Sequence, residues 1–189
     1  MTKIKSMLLA SVLVLAPILA GGIATPAKAA TAADLDQSSS EALRTLVNSD
    51  PAAADLAAHA RAVLIFPSII KAGLIFGGAY GEGELREGGH VYGYFNSVTG
   101  SWGLQAGAQS YGYIVFLMTP SAVRYIHQTQ GLEIGVGPTV VVVNQGVAKN
   151  LSTSTLKSDA YAFIFQQQGL MAGISIEGTK ISRIHPAGY

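Results

Sequence analysis

The chain has 189 residues with a formal net charge of +1, and 49% of the residues are hydrophobic. It contains no cysteine, which excludes disulfides, thiol nucleophiles, cysteine-ligated zinc and a lipidated cysteine anchor. Only 12% of the residues are charged and none of them form a basic block, which argues against general nucleic-acid binding, because such binding depends on neutralising many phosphates.

The first 29 residues have the pattern of a cleaved signal peptide. Lys3 and Lys5 form a positive n-region, residues 7–23 form an apolar run, and Ala27 and Ala29 occupy the small-residue positions of a cleavage site. An uncleaved membrane anchor is the alternative, and a helix-breaking proline within the run favours cleavage. Cleavage removes three lysines and no acidic residue, which leaves a net charge of −2. We therefore expect an exported protein, periplasmic or secreted.

Residues 30–61 are predicted to form an N-terminal helical segment. Ser38 and Glu41 have the spacing of a capping box, with apolar residues following at helical spacing. Asp50 followed by Pro51 predicts the start of a second helix, because aspartate caps helices and proline fits their first turn.

Residues 62–189 predict a β-rich core. Short runs of β-branched and aromatic residues are separated by turn residues, and the first run is expected to end at Pro67. The hairpin turns are predicted at Gly88-Gly89, Thr99-Gly100, Gly169 and Gly178-Thr179.

One further helix is expected among the strands, capped by Thr119 with Pro120 at its first position. The runs "GYIVFLM" and "TVVVV" are apolar at consecutive positions, so both faces of those strands are predicted to be buried. The predicted fold is α+β: an antiparallel, barrel-like β core flanked by helices, preceded by a signal peptide and forming one folded domain over residues 30–189.

The stretch "AGLIFGGAYGEGEL" has many glycines and two glutamates. Its glycines do not have the spacing of a dinucleotide-binding fingerprint and no capped helix follows, so we interpret them as a sharply curved strand or a close backbone approach. If the stretch is extended, Glu82 and Glu84 share a strand face, where they either bind Ca²⁺, act as a carboxylate pair or lie on a solvated hairpin rim. The sequence favours the solvated rim.

No catalytic signature is present in the sequence, which lacks a G-x-S-x-G elbow, an H-E-x-x-H pair and a P-loop. The four histidines are far apart along the chain: His59, His90, His127 and His185. We therefore expect no catalytic residue, no cofactor and no metal ligand.

Aromatic residues are concentrated in one third of the chain. Tyr92 and Tyr94 are expected to project from one face of a strand, and Tyr80 and Trp102 lie near them in sequence. Tyrosine and tryptophan favour places where one end is apolar and the other wet, including membrane interfaces. Core packing with satisfied hydroxyls is the alternative for each of these residues.

Four blocks of the sequence resemble, in order, the successive blocks of the SYLF domain family. They extend from about Ala60 to the end and read "ARAVLIFPSIIKAGLIFGGAYGEGEL", "GSWGLQAGAQSYGYIVFLM", "GLEIGVGPTVVV" and "AYAFIFQQQGLMAGISIEGTKI". That family includes yeast actin-binding proteins, plant FYVE-domain proteins and small exported bacterial proteins.

The resemblance implies a barrel-like core with flanking helices, and it implies binding to lipids, notably phosphoinositides in eukaryotic members. It associates lipid binding with basic residues around an N-terminal amphipathic segment, and the matching region offers Arg44, Arg61 and Lys71. These are few compared with a polybasic patch, so ordinary phospholipids are the expected ligands. Actin binding belongs to the eukaryotic relatives and is not expected of an exported protein.

The leading hypothesis is an exported, non-enzymatic protein that binds phospholipid headgroups or a membrane surface and lies peripherally on the envelope. The predicted lipid-contacting residues are Arg44, Arg61, Lys71, Tyr80, Tyr92, Tyr94 and Trp102. A structural or protein-interaction module of the envelope, with a protein partner and no lipid, is the alternative. A third hypothesis is a hydrolase or metal protein in which the fold brings histidine and glutamate side chains together.

Overall fold

A computed structural model describes residues 30–73, 76–102, 107–143, 157–169 and 175–189. The predicted signal peptide, residues 1–29, lies outside these ranges. The helices are α1 (Ala32–Ser49), α2 (Pro51–His59) and α3 (Pro120–Thr129). The strands are β1 (Ala62–Gly73), β2 (Phe76–Glu87), β3 (His90–Trp102), β4 (Gly107–Leu117), β5 (Gly131–Glu133), β6 (Val140–Val143), β7 (Ala160–Gly169) and β8 (Lys180–Ile184).

All eight strands belong to one sheet, in the order β5-β8-β3-β2-β1-β4-β7-β6. The sheet curls into a half-barrel whose edges, within the described part of the chain, are β5 and β6. The α+β class is therefore confirmed, but the sheet is mixed where a fully antiparallel one was predicted, because β6 runs parallel to β7. The connection between these two strands, residues 144–159, has the dozen or more residues that a parallel pairing requires.

The central strand β1 continues through Pro67, where the sequence predicted its end. Its register with β2 shifts between Ile65 and Ser68, and its register with β4 shifts between Phe66 and Ile69. Proline has no N–H to donate to the ladder, and a bulge accommodates it without ending the strand. The strand therefore continues from Ala62 to Gly73 with one bulge near its middle.

The turn predictions had mixed outcomes. Gly88 and Gly89, both with positive φ, connect β2 to β3 as expected. The turn predicted at Thr99-Gly100 is wrong, because β3 runs through both residues to Trp102. Glycine breaks a strand pattern in sequence, but Thr99 and Gly100 remain extended because they pair with Ala79 and Gly78 of β2.

Helix α1 begins seven residues earlier than the predicted capping box. Thr31 is the N-cap, and its side chain and that of Asp34 satisfy each other's backbone N–H groups. Ser38 lies inside the helix, where its hydroxyl donates to the Asp34 carbonyl oxygen. Two other predicted caps are confirmed, Asp50 for α2 and Thr119 for α3, each followed by proline.

The helices cover opposite faces of the sheet, which we call the α3 face and the α1 face. On the α3 face, Ala122 and Ile126 pack against the largest apolar cluster, which includes Leu64, Phe66 and Tyr113. On the α1 face, helices α1 and α2 pack against side chains from β1, β4 and β7: Ile65, Ile114, Phe116, Tyr161 and Phe163. The predicted burial of both faces of β4 is therefore confirmed.

Candidate functional site

Three exposed apolar side chains form a row across the α1 face. Ile70 on β1 pairs directly with Tyr80 on β2, which pairs directly with Val98 on β3. Their exposed fractions are 56%, 48% and 46%, although each lies in the middle of the sheet order. We call Ile70, Tyr80 and Val98 the apolar row. Exposed apolar residues that adjoin one another indicate a contact surface more strongly than single ones.

A lysine continues the row. Lys180 on β8 pairs directly with Val98 and is exposed. Directly opposed residues of neighbouring strands share a face of the sheet. The row therefore offers a cation beside apolar side chains, and Lys180 was not among the residues predicted from the sequence. No local sequence signal indicates it, since its position depends on the pairing of β3 with β8.

A groove of about 850 Å³ lies between α1 and the strands that carry the apolar row. Its wall on the sheet includes Ile70 and Tyr80, and two carboxylates line it, Glu41 from α1 and Glu82 from β2. Its remaining lining residues are Ala30, Leu35, Ser38, Ala42, Thr45, Pro67, Ser68, Gly81 and Gln166. Since the described lining contains no lysine or arginine, the groove itself does not attract an anionic phosphate.

Tyr80 is fixed at the groove by a hydrogen bond. Its hydroxyl donates to Glu82 Oε1 at 2.7 Å. Burial and the neighbouring Glu82 raise the pKa of Tyr80 to about 12. The side chain is therefore a neutral donor at neutral pH, with its ring open to an apolar partner.

A partly buried polar cluster connects α1 to the sheet, and we call it the α1 junction: Asp36, Ser40, Glu84, Arg86 and Tyr94. The Glu84 side chain is fully buried and pairs with Arg86 Nε. Arg86 Nη2 also donates to Ser40 Oγ at 2.8 Å and to the Asp36 carbonyl oxygen at 3.0 Å. The hairpin-rim interpretation of Glu84 is therefore wrong, because α1 covers the strand where that carboxylate lies.

The carboxyl group of Glu84 has a raised pKa of about 7. Burial is the largest cause, the nearby Asp36 adds to the rise, and Arg86 opposes it. Glu84 Oε2 is enclosed and has no hydrogen bond of ordinary geometry to a described residue. A buried carboxylate oxygen without a donor favours the neutral form of the group, which agrees with the direction of the shift in pKa.

Tyr92 and Tyr94 lie on opposite faces of the sheet, so the prediction that they share a face is wrong. The register between β2 and β3 shifts between Leu85 and Arg86, which leaves Tyr92 at a bulge and reverses the alternation. Tyr94 is buried on the α1 face. Tyr92 packs on the α3 face, where its ring stacks on His127 at 4.3 Å between ring centroids.

The three basic residues predicted from the resemblance do not converge. Arg44 is exposed on α1, and Arg61 is exposed immediately before β1. Lys71 is buried near the other end of β1, on the α3 face, since it pairs with Ala79 of that cluster. Ten residues of extended chain separate Arg61 from Lys71, or roughly 30 Å. One headgroup therefore cannot contact both.

Trp102 is the last residue of β3, and its side chain lies outside the described part of the chain. Of the seven predicted residues, the structure places Tyr80 alone in the apolar row. In the described ranges, no group of three or more His, Cys, Asp or Glu side chains is arranged to hold a metal ion. No described helix combines the length and apolar character needed to cross a membrane.

Comparison with known protein families identifies part of the chain. Residues 98–186 match the family described as Ysc84, Las17-binding protein actin regulator. This is the SYLF family that the sequence blocks resemble, so that recognition is confirmed. The match extends from the second half of β3 through β8, and the block around Ala60 to Leu85 precedes it. No curated protein matches the chain.

Proposed function

Because residues 98–186 carry a domain of the Ysc84 (SYLF) family, we propose that this protein is a non-enzymatic phospholipid-binding protein that contacts the membrane surface through its apolar row. The proposal includes export by the signal peptide predicted at residues 1–29, and residence in the periplasm or outside the cell. Its ligands are then ordinary phospholipids. The resemblance implies phosphoinositide binding only for the eukaryotic relatives, whose membranes supply those lipids.

The observation that carries the proposal is the adjacency of Ile70, Tyr80 and Val98 on three central strands. A monomer gains nothing from exposing three neighbouring apolar side chains on one face, so a surface that covers them is expected. Transfer of these half-exposed side chains into a membrane interface contributes about 1 kcal/mol each. Together they raise the affinity of the protein for the membrane roughly a hundredfold, which is compatible with reversible peripheral binding.

Charge around the row agrees with a phospholipid partner. Lys180 adjoins the row at Val98 and can meet a headgroup phosphate while the apolar side chains enter the interface. Tyr80 combines an apolar ring with a hydroxyl, which favours the boundary between water and lipid. The family description names actin regulation, and we do not extend it to an exported chain.

Co-sedimentation with liposomes tests the proposal. The chain without residues 1–29 is incubated with vesicles of phosphatidylcholine alone and with phosphatidylcholine containing phosphatidylglycerol. We expect the wild type to pellet with both and more strongly with the anionic mixture, because Lys180 is attracted more strongly to a surface of net negative charge than to zwitterionic headgroups. Tyr80→Ser should reduce the bound fraction several-fold, and a double variant with Ile70→Ser should reduce it further.

Tyr189→Ser is the matched control. Tyr189 is also an exposed tyrosine, at 59%, but it lies by the C-terminus, where its ring contacts Tyr94. Its replacement should leave pelleting unchanged. Folded wild type that pellets with neither composition would overturn the proposal and leave the apolar row as a surface for an envelope protein. Equal losses of vesicle binding in the Tyr80 and Tyr189 variants would overturn the assignment of the membrane contact to the apolar row.

A further inference from the structure

The groove between α1 and the sheet carries two carboxylates, and its described lining contains no lysine or arginine. Glu41 lines it from α1 and Glu82 lines it from β2. Neither carboxylate forms an ion pair with a basic side chain in the described part of the chain. The groove therefore has an excess of negative charge that no described neighbour balances.

Each of the two carboxylates has room for a further donor. Glu82 Oε1 accepts a hydrogen bond from the Tyr80 hydroxyl at 2.7 Å, and Glu41 Oε1 accepts one from Gln37 Nε2 at 3.1 Å. Both donors are neutral, and an ionised carboxylate has about four acceptor positions. A cation can therefore bind to either carboxylate without displacing a hydrogen bond of the protein.

An amide oxygen beside Glu82 lacks a donor. Asn96 on β3 pairs directly with Glu82, so the two side chains share the α1 face. The Asn96 amide also lies beside the Tyr80 hydroxyl, where its hydrogen bond opposes the rise in the pKa of Tyr80 that burial and Glu82 cause. Asn96 Oδ1 is enclosed and has no hydrogen-bond partner among the described residues. Because an enclosed acceptor without a donor is costly, this oxygen indicates a ligand that carries N–H groups.

Apolar surface adjoins these acceptors. Ile70 and the Tyr80 ring lie on the sheet side of the groove, and Leu35 and Ala42 lie on the helix side. A tyrosine ring also attracts a cation that lies over its face. The volume of about 850 Å³ is in the range of small-molecule sites, which combine an apolar lining with a few polar groups. The groove therefore fits a small ligand that has both a cationic group and an apolar portion.

We propose that this groove binds a soluble organic amine, a small molecule with a protonated primary amine and an apolar chain or ring. The ammonium group donates to Glu82 and to Asn96 Oδ1, and Glu41 supplies a second negative charge. The apolar portion lies against Ile70 and the Tyr80 ring. An ammonium group has three N–H donors and no acceptor, which matches a site of carboxylate and amide oxygens. The ligand differs from the phospholipids of the proposed function, although Ile70 and Tyr80 belong to both surfaces.

Calorimetric titration with hexylamine at neutral pH, without lipid, tests the site. Hexanol is the uncharged probe of similar length, and methylamine carries the charge without the apolar chain. We expect hexylamine to bind most tightly, because it alone uses both the carboxylates and the apolar wall. Added sodium chloride should weaken hexylamine binding, since salt screens carboxylates that are partly exposed. A wild type that binds hexylamine no more tightly than hexanol, or does not bind it, overturns the proposal.

Glutamine substitutions test the role of each carboxylate. Glu82→Gln and Glu41→Gln each keep an oxygen that accepts the existing hydrogen bond, and circular dichroism verifies that the variants are folded. We expect each to weaken hexylamine binding several-fold, and the double variant to weaken it at least about tenfold, with hexanol binding unchanged. Glu177→Gln is the matched control, because Glu177 is exposed and lies outside the groove lining. Equal losses in the Glu82 and Glu177 variants would show that the amine responds to net charge alone, and they would overturn the site.

Vesicles of phosphatidylcholine distinguish a soluble amine from a lipid headgroup, since the choline group is also cationic. We expect Glu82→Gln to pellet with these vesicles like the wild type. If it loses vesicle binding together with hexylamine binding, the occupant is a headgroup and the assignment to a soluble ligand is overturned. A wild type that binds hexylamine but pellets with no vesicle overturns the proposed function and supports the amine site.

Discussion

The Tyr94 hydroxyl on β3 donates a hydrogen bond of 2.7 Å to Asp36 Oδ1 on α1. This hydrogen bond joins positions 58 residues apart, and Arg86 on β2 donates to the carbonyl oxygen of the same residue. Helix α1 is therefore held to the sheet by directional polar contacts as well as by its apolar side chains. These contacts fix the helix that forms one wall of the groove beside Tyr80.

Replacing Tyr94 with phenylalanine should destabilise the protein by about 1–2 kcal/mol, because Asp36 then loses a donor in a partly buried place. Urea unfolding followed by circular dichroism measures the change. Tyr92→Phe is the matched control, since the Tyr92 hydroxyl has no hydrogen-bond partner among the described residues. We expect the free energy of unfolding of Tyr92→Phe to lie within about 0.5 kcal/mol of that of the wild type. Equal effects of the two substitutions would show that the bond to Asp36 contributes nothing.

Glu84 makes stability depend on pH. Its pKa rises from an ordinary 4.5 to about 7 in the folded protein, so the folded state keeps a proton that the unfolded state releases. The stability contribution of the protonated group is complete at acidic pH and is lost as the pH rises through about 7. The free energy of unfolding should therefore decline between pH 4.5 and pH 7 and then level off.

Glu84→Gln tests this dependence, because glutamine has the shape of a protonated glutamic acid and does not titrate. Urea unfolding of both proteins from pH 4.5 to pH 8 gives the free energy of unfolding as a function of pH. The two curves should separate as the pH rises, with the variant more stable at the alkaline end. The difference between the curves cancels every contribution that the two proteins share. A constant difference across this range would rule out Glu84 as the titrating group.

Local signals in the sequence predicted the helices and most strands well. Asp50-Pro51 and Thr119-Pro120 are short-range patterns with a direct physical cause, and both begin helices as expected. The errors in β structure arise where a residue's local preference is overridden by its neighbours in the sheet. Pro67 is the clearest example, since paired strands on both sides carry the chain past it.

The candidate site was less predictable, because it depends on register. Ile70, Tyr80 and Val98 become neighbours only through the pairing of three strands, and nothing local to each residue indicates it. A single bulge separates Tyr92 from Tyr94, and such a shift reverses every side chain beyond it. The burial of Glu84 likewise depends on where α1 crosses the sheet, which short-range spacing does not determine.

Asp50 is expected to stabilise α2 through two backbone contacts. Its Oδ1 accepts hydrogen bonds from the N–H groups of Ala52 and Ala53, at 2.8 and 3.2 Å. Asp50→Ala should lower the free energy of unfolding by about 1 kcal/mol, because these donors lose their partner. Asp55→Ala, within the same helix, removes an exposed pairing with His59 and should change stability by less than about 0.5 kcal/mol. Thermal or urea unfolding distinguishes the two variants, and equal losses of stability would contradict the capping of α2 by Asp50.

The glycines of β2 allow the bulged strand β1 to lie close. Gly83 lies opposite the register shift between Ile65 and Ser68, and a Cβ atom at that position would overlap the Ile65 carbonyl oxygen. Gly83→Ala should therefore destabilise the protein by about 2–3 kcal/mol or prevent folding, since backbone must move to admit the methyl group. Gly100→Ala is the control, because a Cβ atom there would meet no atom within 4 Å and the φ of Gly100 is not positive. That substitution should be neutral or stabilise by up to about 1 kcal/mol, because alanine restricts the unfolded chain. Comparable urea midpoints for the two variants would mean that β1 can shift away from β2, and the glycines would then need another explanation.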